Sequence, residues 1–376
     1  MRITADLTPA VHHHAGVGRY TQELFTALTA LDAANSYAAF YSAPQGTERP
    51  APPLDRLPAR ITRLSAKPLR LSVMLAHLAG VSLEHWLPPT DIFHATDHIA
   101  LPLRHARTVF TLYDLTVRVA PASHLPLNRW YSTLMLPVFL RRAKAIIAIS
   151  EQTRRDAIQW LPGLASKIRV IYPGVNARFR PVTDSETLAR VRAKYALPAA
   201  YVLYMGTLEP RKNLPALLEA YGALFSSDFR PPPLVVAGRK GWLYEPIFRQ
   251  FRALGLESHV LFTDWVADED LPTLLTAASL FVYPSLYEGF GLPPLEALAC
   301  GTPVVCSNTS SLPEVVGQAG LLVDPQDIAG LAEAMRRVLT DPELQAELRA
   351  RGPARAQAFT WARTARETLS LYDQLF

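Results

Sequence analysis

Two acidic side chains stand eight positions apart in YEGFGLPPLEALACG, residues 287–301, where nearly every neighbour is apolar. Glu288 precedes a Gly289–Phe290–Gly291 turn. Glu296 follows a Pro-Pro pair on a short helix that starts at Leu292 and stops before Gly301. Backbone N–H groups of such a turn, leading into a helix N-terminus, form an anion site, and glycines let a phosphate approach the main chain. A carboxylate is a poor phosphate ligand but a good acceptor for sugar hydroxyls. Glu296, about one turn into the helix, therefore suits the adjacent hydroxyls of a ribose, and Glu288 lies on the other side of the expected phosphate. A second cluster, GTLEPRKNL at 206–214, follows the strand-like YVLYM. Arg211 and Lys212, just beyond Gly206, are placed to neutralise a diphosphate leaving group, Arg by forking to two oxygens and Lys as a point charge.

These side chains need a scaffold of strand ends. Short runs rich in Val, Ile, Tyr and Phe alternate with longer amphipathic stretches, the pattern of βαβ units and parallel sheets. In the first half the strands are RITADL, YAAFY, DIFHA, TVFTLY and AIIAIS, with VIYPGVN ending another. Residues 17–31 read as a helix, and 44–68, with six prolines, as a loop with little regular structure. A second series runs through YVLYMG, LVVAG, HVLF, SLFVYPS, TPVVCS and GLLVD. The fold class is therefore α/β, with two doubly wound parallel-sheet domains and the ligand expected at strand carboxyl ends, in the cleft between the halves.

Composition narrows the function classes. The 376 residues are 49 % hydrophobic and 19 % charged, which is a globular chain with a large core. A net charge of +5 is too small to choose among a phosphate ligand, an anionic membrane and nucleic acid. No dense Lys/Arg run of the nucleic-acid-binding kind occurs. Cys300 and Cys306 sit in an apolar passage and read as small buried side chains. The N-terminus lacks a signal layout and no run of about 18 apolar residues appears, which predicts a cytoplasmic protein. The segment 127–144, LNRWYSTLMLPVFLRRAK, is apolar with basic ends. It reads as a core helix first and as a lipid-facing helix second. His12–His14 reads as a polar loop rather than a metal site. The acids of Asp268–Glu269–Asp270 read as caps of the helix that follows, not as a metal motif.

GTLEPRKNL, VAGRKGWLYEPI, the long run VADEDLPTLLTAASLFVYPSLYEGFGLPPLEALACGTPVVCSNTSSLPEVVGQAGLLVDP and the closing FTWARTA together resemble family 4 glycosyltransferases. The likeness is strong over 201–365 and weaker in GVGRYTQEL and RRAKAIIAISEQTRRD. It implies a two-Rossmann GT-B fold, with an N-terminal domain 1–174, a donor domain 175–358 and a C-terminal helix 359–376 crossing back onto the first domain. It also implies a retaining, metal-independent enzyme without cofactor, using a nucleotide-sugar donor and a saccharide or lipid-linked acceptor, with peripheral contact at the inner face of a membrane. The wording is most similar to mannosyltransferases of bacterial surface-polysaccharide assembly, which points to GDP-mannose as donor. Arg211 and Lys212 would hold the diphosphate, Glu288 the sugar and Glu296 the ribose, while the loop around Val266 would frame the base. Gly206, Gly289, Phe290, Gly291 and Leu292 complete the donor site, and Gly16 and Gly18 of GVGRY would approach the phosphates from the first domain. The chain departs from the family in FTLYDLT. Many relatives carry His where Tyr113 stands, before Asp114, so a histidine role there passes to a phenol that titrates far above neutral pH. A nucleotide-sugar 2-epimerase of the same fold and a non-catalytic nucleotide-sugar-binding subunit are the alternative readings.

Overall fold

Seven short runs in the first half become parallel strands: β1 (Arg2–Asp6), β2 (Ser36–Ser42), β3 (Ala59–Thr62), β4 (Ile92–Ala95), β5 (Arg107–Leu112), β6 (Ala145–Ala148) and β7 (Ile168–Val170). Their order in the sheet is β3-β2-β1-β4-β5-β6-β7. The computed structural model describes residues 1–12, 16–123, 125–225 and 228–376. The connecting helices are α1 (Thr8–His12), α2 (Gly16–Leu31), α3 (Ala66–Ala79), α4 (Thr116–Val119), α5 (Pro126–Arg142) and α6 (Glu151–Trp160). Central strands such as β4 and β6 are buried along their whole length because helices cover both faces of a parallel sheet. Val73 of α3 and Met135 and Phe139 of α5 pack with Phe93 and Phe110 of the sheet in one cluster.

The second series forms β8 (Val202–Met205), β9 (Leu234–Ala237), β10 (Val260–Asp264), β11 (Leu280–Tyr283), β12 (Val304–Ser307) and β13 (Leu321–Val323), in the order β10-β9-β8-β11-β12-β13. Its helices are α7 (Ser185–Lys194), α8 (Leu214–Gly222), α9 (Glu245–Ala253), α10 (Leu271–Ala277), α11 (Leu292–Ala299), α12 (Leu312–Val316), α13 (Ile328–Thr340) and α14 (Pro342–Ala356). A last helix, α15 (Trp361–Asp373), packs along α2. The chain thus divides into a first unit, Met1–Gly174 with Thr360–Phe376, and a second, Val175–Phe359. Inside the first unit, Tyr372 of α15 meets buried His94 of β4 at 2.5 Å, and Trp361 stands edge-on to Tyr20 of α2 at 5.6 Å. Burial pushes His94 down to about 3, so the imidazole is neutral.

Two expectations change. Residues 44–68 are not a loop throughout: Ala59–Thr62 form β3, pairing with β2 at the sheet edge. Its residues are largely exposed, so it lacks the apolar run that marks an inner strand. The acids before α10 do not cap it through their side chains. Asp270 occupies the N-cap position but accepts from Lys194 at 2.6 Å and Tyr195 at 2.9 Å, tying α7 to α10, while Asp268 pairs with Arg178 at 3.5 Å. Gly16 and Gly18 lie in the first turn of α2. Of the histidine triplet, His12 is described, with Nε2 at 2.7 Å from Ser42 O, and His13 and His14 lie outside the described residues. Cys300 and Cys306 are buried free thiols, and burial pushes Cys300 up to about 12.

Candidate functional site

In the second sheet the chain leaves β8 toward β9 and β10, and leaves β11 toward β12 and β13. The loops after β8 and β11 therefore part at the sheet's switch point, where doubly wound sheets bind ligands. Gly206 ends β8 with φ +155 and packs its backbone against Gly238 at the end of β9. A Cβ on Gly238 would fall 1.9 Å from Gly206 O, so only glycine fits there. Residues Pro210–Lys212 then make a single 3₁₀ turn, closed by Asn213 in the left-handed region at φ 57. Asn tolerates that conformation better than other side chains with a Cβ. Its Nδ2 donates to Pro284 O at 3.1 Å and Pro325 O at 2.8 Å, and Leu286 N donates to Arg211 O at 2.9 Å. The two loops are knitted together.

That stitching brings Arg211, Lys212 and Glu288 into one buried cluster. Glu288 Oε1 accepts from Lys212 Nζ at 2.6 Å and from Ser285 Oγ at 2.6 Å. Its Oε2 lies 2.8 Å from Arg211 Nη1. Arg211 also reaches Glu209 Oε1 and Tyr287 O, each at 2.6 Å, and Lys212 donates to Tyr283 Oη at 2.6 Å. Burial opposes the Glu288 charge, but Arg211, Lys212 and the hydrogen bonds from Lys212 and Ser285 hold the carboxyl down at about 2. Burial and the neighbouring Arg211 push Lys212 below the usual lysine range, against the pull of Glu288. Glu288 is therefore a permanent anion near neutral pH, an acceptor of hydrogen bonds and not a proton donor. Half-buried Arg211 and buried Lys212 stand side by side, balanced by the two carboxylates of Glu288 and Glu209.

The turn after Glu288 is pinned from below. Glu288 N donates to Ser310 Oγ at 3.0 Å, and Ser311 Oγ lies 2.9 Å from Glu288 O and 2.7 Å from Phe290 O. Gly291 adopts φ +113 as it enters α11 at Leu292. Glu296 is buried at 2 % exposure on that helix. Phe290 faces Phe359, ring centroids 5.6 Å apart, so its side chain serves packing while its backbone shapes the turn. Val266 is buried in the loop after β10, two strands from β8, beside exposed Trp265, over which Arg239 lies at 5.4 Å.

Tyr113, Asp114, Gly16 and Gly18 belong to the first unit. Tyr113 is buried and donates to Thr96 O at 2.8 Å, and burial raises its hydroxyl well above 10. Asp114 accepts from Thr116 N at 2.9 Å and Thr116 Oγ1 at 2.6 Å, starting α4. Sequence reading missed the pair beside them. Asp6 ends β1 and Asp97 follows β4, the two strands at which the first sheet changes direction. Burial first, then the Asp97 charge, push Asp6 up to about 7. Exposed His98 stands edge-on to Tyr113 at 5.9 Å, and its N donates to Asp97 Oδ1 at 2.7 Å. The available signal was Asp6 itself, an acid at the end of a buried strand. Among the described residues no group of three or more His, Cys, Asp and Glu side chains is arranged to hold a metal.

The family model for glycosyl transferases group 1 matches residues 189–355, and that for glycosyltransferase family 4 matches residues 14–179. O-antigen chain mannosyltransferase B of Escherichia coli is 33 % identical over 390 residues, covering 100 % of both chains. The chain belongs to glycosyltransferase family 4. A D-inositol 3-phosphate glycosyltransferase of Streptomyces scabiei is 33 % identical over 308 residues, 79 % of this family 4 glycosyltransferase and 68 % of that protein. Two solved structures share the GT-B fold of this glycosyltransferase. Sucrose-phosphate synthase from Thermosynechococcus elongatus has a TM-score of 0.77 at 24 % identity, covering 100 % of this chain and 99 % of that one. HepE of Anabaena, in complex with UDP and glucose, has a TM-score of 0.74 at 20 % identity over 100 % of both chains.

Proposed function

We propose that this glycosyltransferase moves a mannosyl group from GDP-mannose to a saccharide on a lipid carrier, with retention of configuration and without a metal ion. The observation that carries the chemistry is the buried Arg211–Lys212–Glu288 cluster at the switch point of the second sheet. Arg211 and Lys212 stabilise the charge that develops on the leaving diphosphate, Glu288 accepts from hydroxyls of the transferred sugar, and Glu296 accepts from those of the ribose. Gly206 and the turn at Gly289, Phe290, Gly291 and Leu292 let the phosphates approach the backbone. The loop at Val266 frames the base. The bond from the sugar anomeric carbon to the phosphate oxygen breaks, and the acceptor hydroxyl oxygen bonds to that carbon on the same face. The acceptor proton passes to the departing phosphate oxygen, giving a glycoside and a nucleoside diphosphate. Tyr113 and Asp114 shape the acceptor side in place of a histidine. The mannosyl assignment rests on the similarity to the Escherichia coli enzyme.

Thermal-shift measurement against a panel of nucleotide sugars tests the donor, since a ligand bound only by the folded state stabilises it by about 2.7 kcal/mol at a hundredfold its Kd. GDP-mannose is expected to give the largest rise, and a larger rise with a uridine or adenosine donor overturns that assignment. Transfer should persist in chelator; loss restored by magnesium counts against the metal-free step. No described helix is long and apolar enough to cross a membrane; the reading has a lipid-linked acceptor met by peripheral contact.

A further inference from the structure

Glu288 is held at every polar group it has. Its side-chain oxygens meet Arg211, Lys212 and Ser285, and its main chain is taken by the loop after β12. That loop, residues 308–311, reads NTSS, four small polar residues directly after a strand buried along its whole length. Three successive hydroxyls in it cross to the loop after β11. Thr309 Oγ1 donates to Leu286 O at 3.3 Å, Ser310 Oγ accepts from Glu288 N at 3.0 Å, and Ser311 Oγ lies against Glu288 O and Phe290 O. The peptide bonds of this turn are trans, so N–H and C=O point opposite ways across each of them. Ser311, on the carbonyls of Glu288 and Phe290, therefore directs the N–H groups of Gly289 and Gly291 away from itself. Ser310 fixes the peptide before these from its N–H end.

Ser310 reaches Glu288 from a backbone that serine seldom adopts. Among the described residues five that are not glycine have a left-handed φ, between 51 and 57. Four of them stand at carboxyl ends of second-sheet strands: Asn213 after β8, Leu243 after β9, Asp264 closing β10 and Ser310 after β12. This conformation is strained for L side chains, with Asn and Asp the usual exceptions, and residues so held gather where a site needs a fixed geometry. Glycine would occupy position 310 without strain, but it would take the acceptor away from Glu288 N. We propose that Ser310 is a positioning residue: its backbone is held strained so that its hydroxyl fixes Glu288 and, through it, the turn at 288–291. The proposal rests on the reading of that turn as the donor site, but one arm of its test needs no donor, so either can fail alone.

Ser310→Gly and Ser310→Ala, made in the full chain, separate the hydroxyl from the strain. Both remove the oxygen, and only glycine also relieves the backbone. Stability should follow the backbone, with Ser310→Gly melting roughly 2–4 °C above Ser310→Ala by circular dichroism. Transfer should follow the hydroxyl, with kcat falling about tenfold or more in both variants. The donor KM should change less than about threefold, because Arg211 and Lys212 still meet the diphosphate. Hydrogen exchange of peptides covering 286–292, read by mass spectrometry without substrate, should quicken about tenfold in both variants. Peptides of α8 should keep the wild-type exchange rate. A wild-type kcat in Ser310→Gly overturns the proposal, as does a rate that tracks melting temperature instead of the hydroxyl, or unchanged exchange in the turn. If the wild type transfers nothing from any nucleotide sugar while exchange still quickens in both variants, the donor reading falls and the hold of Ser310 on the turn stands.

Discussion

Replacing Glu288 by glutamine keeps the side chain's shape and removes the charge between Arg211 and Lys212. The Glu288 carboxyl is held at about 2 against an ordinary 4.5. At about 1.4 kcal/mol per tenfold in proton affinity, that difference is worth about 3 kcal/mol to the folded state when Glu288 is ionised. Because the folded value lies below the unfolded one, this stability is fully present above pH 4.5 and is lost as pH falls through about 2. Glu288→Gln should therefore destabilise the second unit by about 3 kcal/mol at pH 7, in line with the cost of breaking a buried ion pair on one side. The deficit should shrink to less than about half its neutral value by pH 3, where the wild-type carboxyl is losing its advantage. Loss of a proton from Lys212, already pushed down by burial and Arg211, sets a ceiling on the cost. Urea unfolding followed by circular dichroism, fitted for two units, measures the difference at several pH values. A deficit under about 1 kcal/mol at pH 7, or one that does not change with pH, would show that the cluster does not act as a coupled ion network.

Arg211→Ala should lower the transfer rate tenfold or more, as loss of a donor aimed at developing charge costs about 2.7–4 kcal/mol in comparable sites; an unchanged kcat removes Arg211 from the leaving-group role. Asp6, pushed up from 3.8 to about 7, withdraws stability as pH rises through that range. Asp6→Asn should therefore gain on the wild type by up to about 4 kcal/mol by pH 8, and parallel stability–pH curves would refute the buried pair. Gly238→Ala should cost at least about 2 kcal/mol, from the clash with Gly206 O and the backbone strain. Gly222→Ala, at the end of α8 with open space around its Cβ, is the control in the same unfolding assay and should be neutral or stabilising by up to about 1 kcal/mol.

The strands of both units could be read along the chain because inner strands of parallel sheets are unbroken apolar runs, as in LVVA of β9 and VVCS of β12. β3 could not, since an exposed edge strand carries no such run and owes its existence to its partner β2. At the candidate site, residue type and position relative to strand ends singled out Arg211, Lys212 and Glu288. Their direct contact could not be read, because it depends on which strands become neighbours: Lys212 and Glu288 are 76 residues apart. The same limit hid Asp6 and Asp97, which only the placement of β4 beside β1 brings together. For α5 the difficulty was periodicity. Apolar residues on both its inner and outer faces blur the one-sided stripe that separates a core helix from an interfacial one.

The discontinuity of the first unit sets an order for biosynthesis. α15 supplies Trp361 against Tyr20 and Tyr372 against His94, so the first sheet's layer of helices is closed only by residues made after the whole second unit. During translation the second unit can fold as soon as it emerges, while the first waits with α2 uncovered on the side that α15 will occupy. A stop codon just before Trp361 would then leave the second unit intact and the first unfinished, inverting the usual expectation that C-terminal truncation damages the C-terminal domain.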